Sequence, residues 1–101
     1  MHLKWSSFAV EDRIEIFDFI EQDSFHAAVL VDDRISVQVE TLKHFPEIGR
    51  PGRIKGTREL VIDRTPYIVA YRIQDDIVRI LRVLHGSQQW PEELSGDDSS
   101  Q

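Results

Sequence analysis

The chain has 101 residues and a formal charge of −6 at pH 7, which is length enough for one hydrophobic core and too little for two. It contains no cysteine, so disulfides, thiolate nucleophiles and Cys-ligated zinc are excluded. No apolar run is long enough to span a bilayer and no amino-terminal stretch has the layout of a signal peptide, so the expectation is a cytoplasmic protein with no membrane partner.

The charge is divided unevenly. Residues 1–49 set four basic side chains against ten acidic ones, residues 50–90 set eight against four, and the remaining segment adds Glu92, Glu93, Asp97 and Asp98. The half that reads as sheet is basic and the rest is acidic. Both an anionic partner for the sheet and ordinary solvated strand surfaces fit that division.

In chain order, His2–Trp5 alternates and reads as an edge strand. Ser6 or Ser7 then caps a helix in which Val10, Ile14, Phe17 and Ile20 form the apolar stripe, with Glu11, Asp12, Glu15 and Asp18 opposite. Gln22-Asp23-Ser24 breaks it, and Ser24 caps a second helix running to about Phe45, with Ala28, Val31, Ile35 and Leu42 along one stripe. Two antiparallel helices with a short link form a hairpin whose seam needs a sheet to cover it. Pro46 ends the second helix, and residues 48–53 are a glycine-bearing loop carrying Arg50 and Arg53, with Lys55 following. Such a loop suits phosphate oxygens, although no Walker spacing is present.

Three runs rich in Val, Ile and Tyr follow, separated by turn residues at 63–66 and 74–76. They read as a meander. Strict alternation puts Arg79, Leu81, Val83 and His85 on one face of the third strand and Val78, Ile80, Arg82 and Leu84 on the other, so this strand is expected to be central. Arg82, on a mostly buried face, needs an anion: a structural carboxylate such as Glu59 or Asp63, or the charge of a phosphodiester. His85, beside Gly86 at the strand end, can donate a proton to a leaving oxygen or can close the strand on a carbonyl. Trp90 can stack on a nucleobase or pin the following segment to the core. Residues 1–91 read as one domain and residues 92–101 as an acidic, disordered tail. No cofactor is expected, and no metal, because His and carboxylates show no ligand spacing.

The sequence of elements, with Gly56-Thr-Arg-Glu-Leu, Pro66-Tyr-Ile-Val-Ala-Tyr-Arg and Ile80-Leu-Arg-Val-Leu-His-Gly-Ser-Gln-Gln-Trp-Pro, resembles the RelE/ParE toxins of bacterial type II toxin-antitoxin systems, in the RelE/StbE-like branch, over Trp5 to Pro91. The resemblance implies an α+β domain with a two-helix hairpin packed on a small, curved antiparallel sheet, and a cognate antitoxin as partner. It also implies one of two targets, of which the RelE/StbE-like branch favours messenger RNA on the ribosome, with gyrase as the alternative and an inactive toxin retained for its antitoxin complex as a third reading. RelE-like members cut messenger RNA on the ribosome, and in that case the chain is a metal-independent endoribonuclease with His85, Arg82 and Arg58 as catalytic groups and Arg50, Arg53, Lys55 and Trp90 binding RNA or a partner. ParE-like members poison DNA gyrase without nuclease chemistry. At Glu59, Val61 and Asp63 the chain departs from the basic residues that RelE-type members carry on these strands.

Overall fold

The computed structural model describes residues 1–94. Strand β1 (His2–Trp5) leads into helix α1 (Ser7–Glu21), helix α2 (Phe25–Glu40) and a 3-10 turn (Thr41–Lys43). Then come a two-residue strand β2 (Arg50–Pro51) and the meander β3 (Arg58–Val61), β4 (Tyr67–Gln74) and β5 (Ile77–His85). The sheet order is β1-β5-β4-β3-β2. The α+β hairpin-on-sheet architecture is as expected, with two differences. β1 pairs parallel to β5, so the sheet is mixed, and part of the 48–53 loop is drawn into the sheet as β2 opposite β3. β1 lies at an edge and β5 is central, as the apolar patterning required.

Both helices begin on serine caps. The Ser6 side chain accepts from the Ala9 N–H at 3.0 Å and the Ser24 side chain from the Ala27 N–H at 3.1 Å, satisfying donors that have no intrahelical partner. The helices are clasped by a two-pronged Arg13–Asp32 ion pair at 2.9 and 2.8 Å and by an edge-on Phe17–Phe25 contact. Helix α2 buries Ala28, Ile35 and Val39, and Leu42 follows in the 3-10 turn. The helix itself stops at Glu40, short of Phe45, because the chain tightens into i→i+3 bonding before Pro46.

Helix α1 is rotated from its expected setting. Val10 and Ile14 are 45% and 53% exposed, while Ala9 and Asp12 are buried. Asp12, placed by periodicity on the solvent side, is therefore a core residue. Ala9 is fully buried and its methyl group is too small to hold the helix off the sheet, and Asp12 finds partners in β5 that outweigh the burial of apolar surface at Val10 and Ile14.

Those partners arise from a bulge in β5. The register steps from Ala70 opposite Arg82 to Tyr71 opposite Ile80, leaving Leu81 as the extra residue. This overturns strict alternation: Val78, Ile80 and Val83 all join the core under the helices, whereas Leu81 packs on the opposite face with Ala70 and Leu94. β1 pairs no further than Trp5 with Ile80, so the next stretch of β5 has no strand on that side. Helix α1 fills the gap. The Ser6 N–H and hydroxyl donate to the carbonyls of Ile80 and Leu81 at 3.0 and 2.9 Å, and the Asp12 carboxylate accepts from the Val83 N–H at 2.9 Å.

The same carboxylate takes both prongs of Arg82, Nε at 2.7 Å and Nη2 at 2.9 Å. The Asp12 hydrogen bonds hold the Arg82 guanidinium above its ordinary pKa range despite its partial burial. Arg82 does find a structural carboxylate, but it is Asp12 rather than Glu59 or Asp63. The tail expectation also changes at its start: Leu94 is 6% exposed and packed on the sheet, and residues 95–101 lie outside the described residues.

The two ends of the Asp12–Arg82 pair are unequal, because Asp12 also serves a backbone N–H. Asp12→Ala leaves that donor and a half-buried guanidinium without partners and is expected to cost about 2–4 kcal/mol. Arg82→Ala leaves Asp12 still bonded to Val83 and should cost about half as much. Urea unfolding of the two variants tests the ordering, and equal or reversed losses would remove Asp12 from its assigned place in β5.

Candidate functional site

His85 ends β5 directly opposite Tyr67 of β4, with the rings edge-on and their centroids 5.5 Å apart. Its Nδ1 accepts from the Ser87 N–H at 3.1 Å and lies 2.8 Å from the Ser87 hydroxyl, while its backbone N–H bonds to Gln88 Oε1 at 2.7 Å. The imidazole is thus one member of a tight turn over Gly86-Ser87-Gln88. His85, Tyr67, Arg82 and Gln88 line a groove of about 280 Å³, and Asp12 and Glu15 line it as well. Burial pushes the Tyr67 hydroxyl above its ordinary pKa, so it is not a base at neutral pH.

On the far side of the sheet a second carboxylate organises the loop. Glu59 of β3 is 3% exposed, and it receives Arg50 through Nε at 3.1 Å and Nη2 at 2.9 Å. It also receives the Arg53 backbone N–H at 2.8 Å and the Arg53 guanidinium Nε at 3.1 Å. Burial pushes the Glu59 carboxyl up, but the bonds from Arg53 and Arg50 more than offset it and hold the pKa below its ordinary 4.5. The Arg53 guanidinium lies 3.7 Å from the centre of the Trp90 ring, a cation–π contact. The Trp90 indole N–H donates to the His85 carbonyl at 3.3 Å, so Trp90 pins its segment to the sheet.

Arg58 works on the same loop from the opposite face, donating to the carbonyls of Glu47 and Gly49 at 3.2 and 2.8 Å. Gly49 sits against Tyr71, whose hydroxyl accepts the Gly49 N–H at 3.0 Å and donates to the Pro46 carbonyl at 2.6 Å. A Cβ at Gly49 would meet the Tyr71 hydroxyl at 2.5 Å, so only glycine fits this approach. Lys55 is exposed.

The residues expected to form one site therefore fall into three groups. His85 and Arg82 share a groove with two carboxylates. Arg50, Arg53 and Trp90 are gathered around Glu59 on the other face, and Arg58 clamps the loop backbone. The residues that organise these groups, Asp12, Tyr71 and, for the loop arginines, Glu59, were not foreseen in these roles. The available signal was stoichiometric: each mid-strand or loop arginine needs an anion, and few acids lie near the sheet in sequence.

Elsewhere, Trp5, Val10, Ile14 and Phe17 line an apolar groove of about 470 Å³ along α1. Among the described residues no set of three or more His, Cys, Asp and Glu side chains is placed to hold a metal ion, and no helix is long and apolar enough to cross a membrane.

Comparison with known proteins gives consistent matches. Residues 3–90 match the model of a family described as the ParE toxin of the type II toxin-antitoxin system parDE. The Y4kP protein of Sinorhizobium fredii is 48% identical over 92 residues, 91% of this chain and 95% of that protein. Toxin RelE2 of Caulobacter vibrioides is 33% identical over 84 residues, 83% of this chain and 93% of its own length. Among solved structures, a chain of the chromosomal ParDE toxin-antitoxin system from P. aeruginosa superposes with a TM-score of 0.76 at 28% identity, covering 84% of this chain and 95% of that one.

Because the folded pKa of Glu59 is depressed, its contribution to stability is present above the ordinary carboxylate pKa and is lost as pH falls through the folded value. Glu59→Gln is expected to cost about 1–2 kcal/mol at pH 7, discounted for the half-exposed arginines. The gap to the unsubstituted chain should close as the pH is lowered below the ordinary value of 4.5. Urea unfolding midpoints measured across that range check it, and a gap that stays constant with pH would contradict the assignment.

Proposed function

This chain belongs to the ParE toxin family of type II toxin-antitoxin systems, and from that membership we propose that it arrests growth by binding DNA gyrase in the cytoplasm, without cutting RNA, and is neutralised by its cognate antitoxin. The observation that carries this reading is the commitment of the cations. RNA cleavage needs positive charge aimed at the scissile phosphate and a proton for the leaving oxygen. Arg82 faces Asp12, Arg50 and Arg53 face Glu59, and Arg58 faces backbone carbonyls. The groove at His85 includes the carboxylates of Asp12 and Glu15, which disfavour a phosphodiester at close range.

A toxin that works by contact needs exposed surface instead. The groove along α1 supplies apolar side chains, with Val10 and Ile14 about half exposed, and contiguous exposed apolar surface is the usual mark of a protein-binding face. The endoribonuclease reading rests on one observation, the placing of His85, Tyr67 and Arg82 around a single groove.

The two readings separate in parallel assays. Purified chain is expected to block plasmid supercoiling by gyrase and to leave cleaved plasmid, while transcript ends mapped after induction show no cuts aligned with A-site codons. His85→Ala is expected to retain growth inhibition within about twofold, since the imidazole bonds only within its own turn, to Ser87. Codon-aligned cuts that vanish in His85→Ala, with gyrase unaffected, would reverse the assignment.

A further inference from the structure

The groove at the end of β5 contains a polar group that the fold leaves unanswered. Tyr67 is 7% exposed, and its hydroxyl finds no hydrogen-bond partner among the described residues. Its backbone N–H bonds to the Thr65 hydroxyl, its ring packs edge-on against His85, and burial alone pushes its pKa up. The chain's other tyrosine, Tyr71, both accepts and donates through its hydroxyl. A buried hydroxyl without a partner carries a desolvation penalty, which a ligand group reaching it removes.

The groups beside that hydroxyl are donors as well. The Ser87 N–H can only donate, so His85 Nδ1, which accepts it at 3.1 Å, carries the lone pair and the neutral imidazole holds its proton on Nε2. Gln88 uses its Oε1 on the His85 backbone N–H, which turns its NH2 to other partners. Arg82 uses Nε and Nη2 on Asp12 and keeps Nη1. Asp12 is filled by three hydrogen bonds, so the acceptor at hand is the exposed carboxylate of Glu15, which lines the same groove. Ile16 and the exposed Phe19 supply its apolar wall.

These groups select a ligand by elimination. A phosphate or carboxylate suits the donors but faces the charges of Glu15 and Asp12. A lysine or arginine suits Glu15 but has no acceptor for Tyr67, His85 and Gln88. A serine or threonine hydroxyl is too short to reach a phenol at the floor of the groove. A carboxamide carries an acceptor oxygen and an NH2 donor on one carbon, and the two methylenes of a glutamine stem can lie against Ile16 and Phe19. We propose that this groove is a recognition subsite for a glutamine side chain of a partner polypeptide, whose carbonyl takes the Tyr67 hydroxyl and His85 Nε2–H while its NH2 reaches Glu15. The subsite shares no lining residue with the groove along α1, and it stands independently of how the toxin contacts its target.

Capped single residues test this on the full chain, with neither gyrase nor RNA present. Titration with N-acetyl-glutamine methylamide is expected to shift the amide resonances of Tyr67, His85 and Gln88 together with the His85 Nε2 signal. The glutamate and leucine counterparts should bind about tenfold more weakly, the first for its charge and the second for its missing hydrogen bonds. Tyr67→Phe removes the hydroxyl and keeps the ring, so it should bring the glutamine probe down to the leucine level. The same substitution should leave the urea midpoint of the unliganded chain unchanged or raise it, because the group removed had no partner. Glu15→Gln should bring the glutamate probe to within about twofold of the glutamine probe. Equal binding of the three probes, shifts that map to the groove along α1, or a Tyr67→Phe chain that still selects glutamine would overturn the assignment.

Discussion

The structure depends on one buried carboxylate. Where β1 runs out, the side of β5 that it covered would present bare backbone polar groups to the underside of the helices, and an unpaired buried N–H costs as much as a lost hydrogen bond. Asp12 answers the Val83 N–H directly, while Ser6 answers the carbonyls of Ile80 and Leu81. These contacts fix the rotation of α1 about its axis and its distance from the sheet. The apolar stripe of Val10 and Ile14 is turned outward as a result. The exposed groove along α1 is thus a consequence of how the bulge in β5 is satisfied, and no separate packing defect is needed to explain it.

Glu59 plays the corresponding part on the opposite face. A buried carboxylate is costly unless its lone pairs are filled, and here two guanidinium groups and a backbone N–H fill them. The arrangement stitches β2 and the following loop to β3, and Trp90 lies over Arg53 as the next layer. A count of basic residues in this half overstates the charge it offers to a partner, because Arg50, Arg53 and Arg82 are balanced within the fold.

The caps at Ser6 and Ser24, the turns at 63–66 and 74–76, the helical hairpin and the central position of β5 were all legible, because each is set by local chemistry. The turns even fall where the backbone takes positive φ at non-glycine residues, Arg64 and Asp75. What sequence spacing missed was the bulge at Leu81, which shifts every later side chain of β5 to the other face. An extra residue in one strand leaves no mark on apolar periodicity when both faces are apolar, as they are from Val78 to Leu84. The rotation of α1 was hidden for a related reason: its setting answers backbone groups more than sixty positions away. The residues singled out from sequence fall into separate groups because each arginine is held by its own partner, Arg82 by Asp12, Arg50 and Arg53 by Glu59, and Arg58 by loop carbonyls.

Balanced arginines also bear on how such a domain can move from one activity to another. The groove at His85 has an imidazole, a phenol and a guanidinium, and what keeps it from resembling a phosphate site is the pair of carboxylates at Asp12 and Glu15. Glu15 is exposed on α1 and acts on Arg82 through its charge, whereas Asp12 cannot be exchanged without exposing the β5 edge. A phosphate-binding groove in this scaffold therefore requires a different solution to the bulge before any basic side chain is added. The backbone geometry of β5, ahead of the choice of side chains around His85, decides which charges this groove presents.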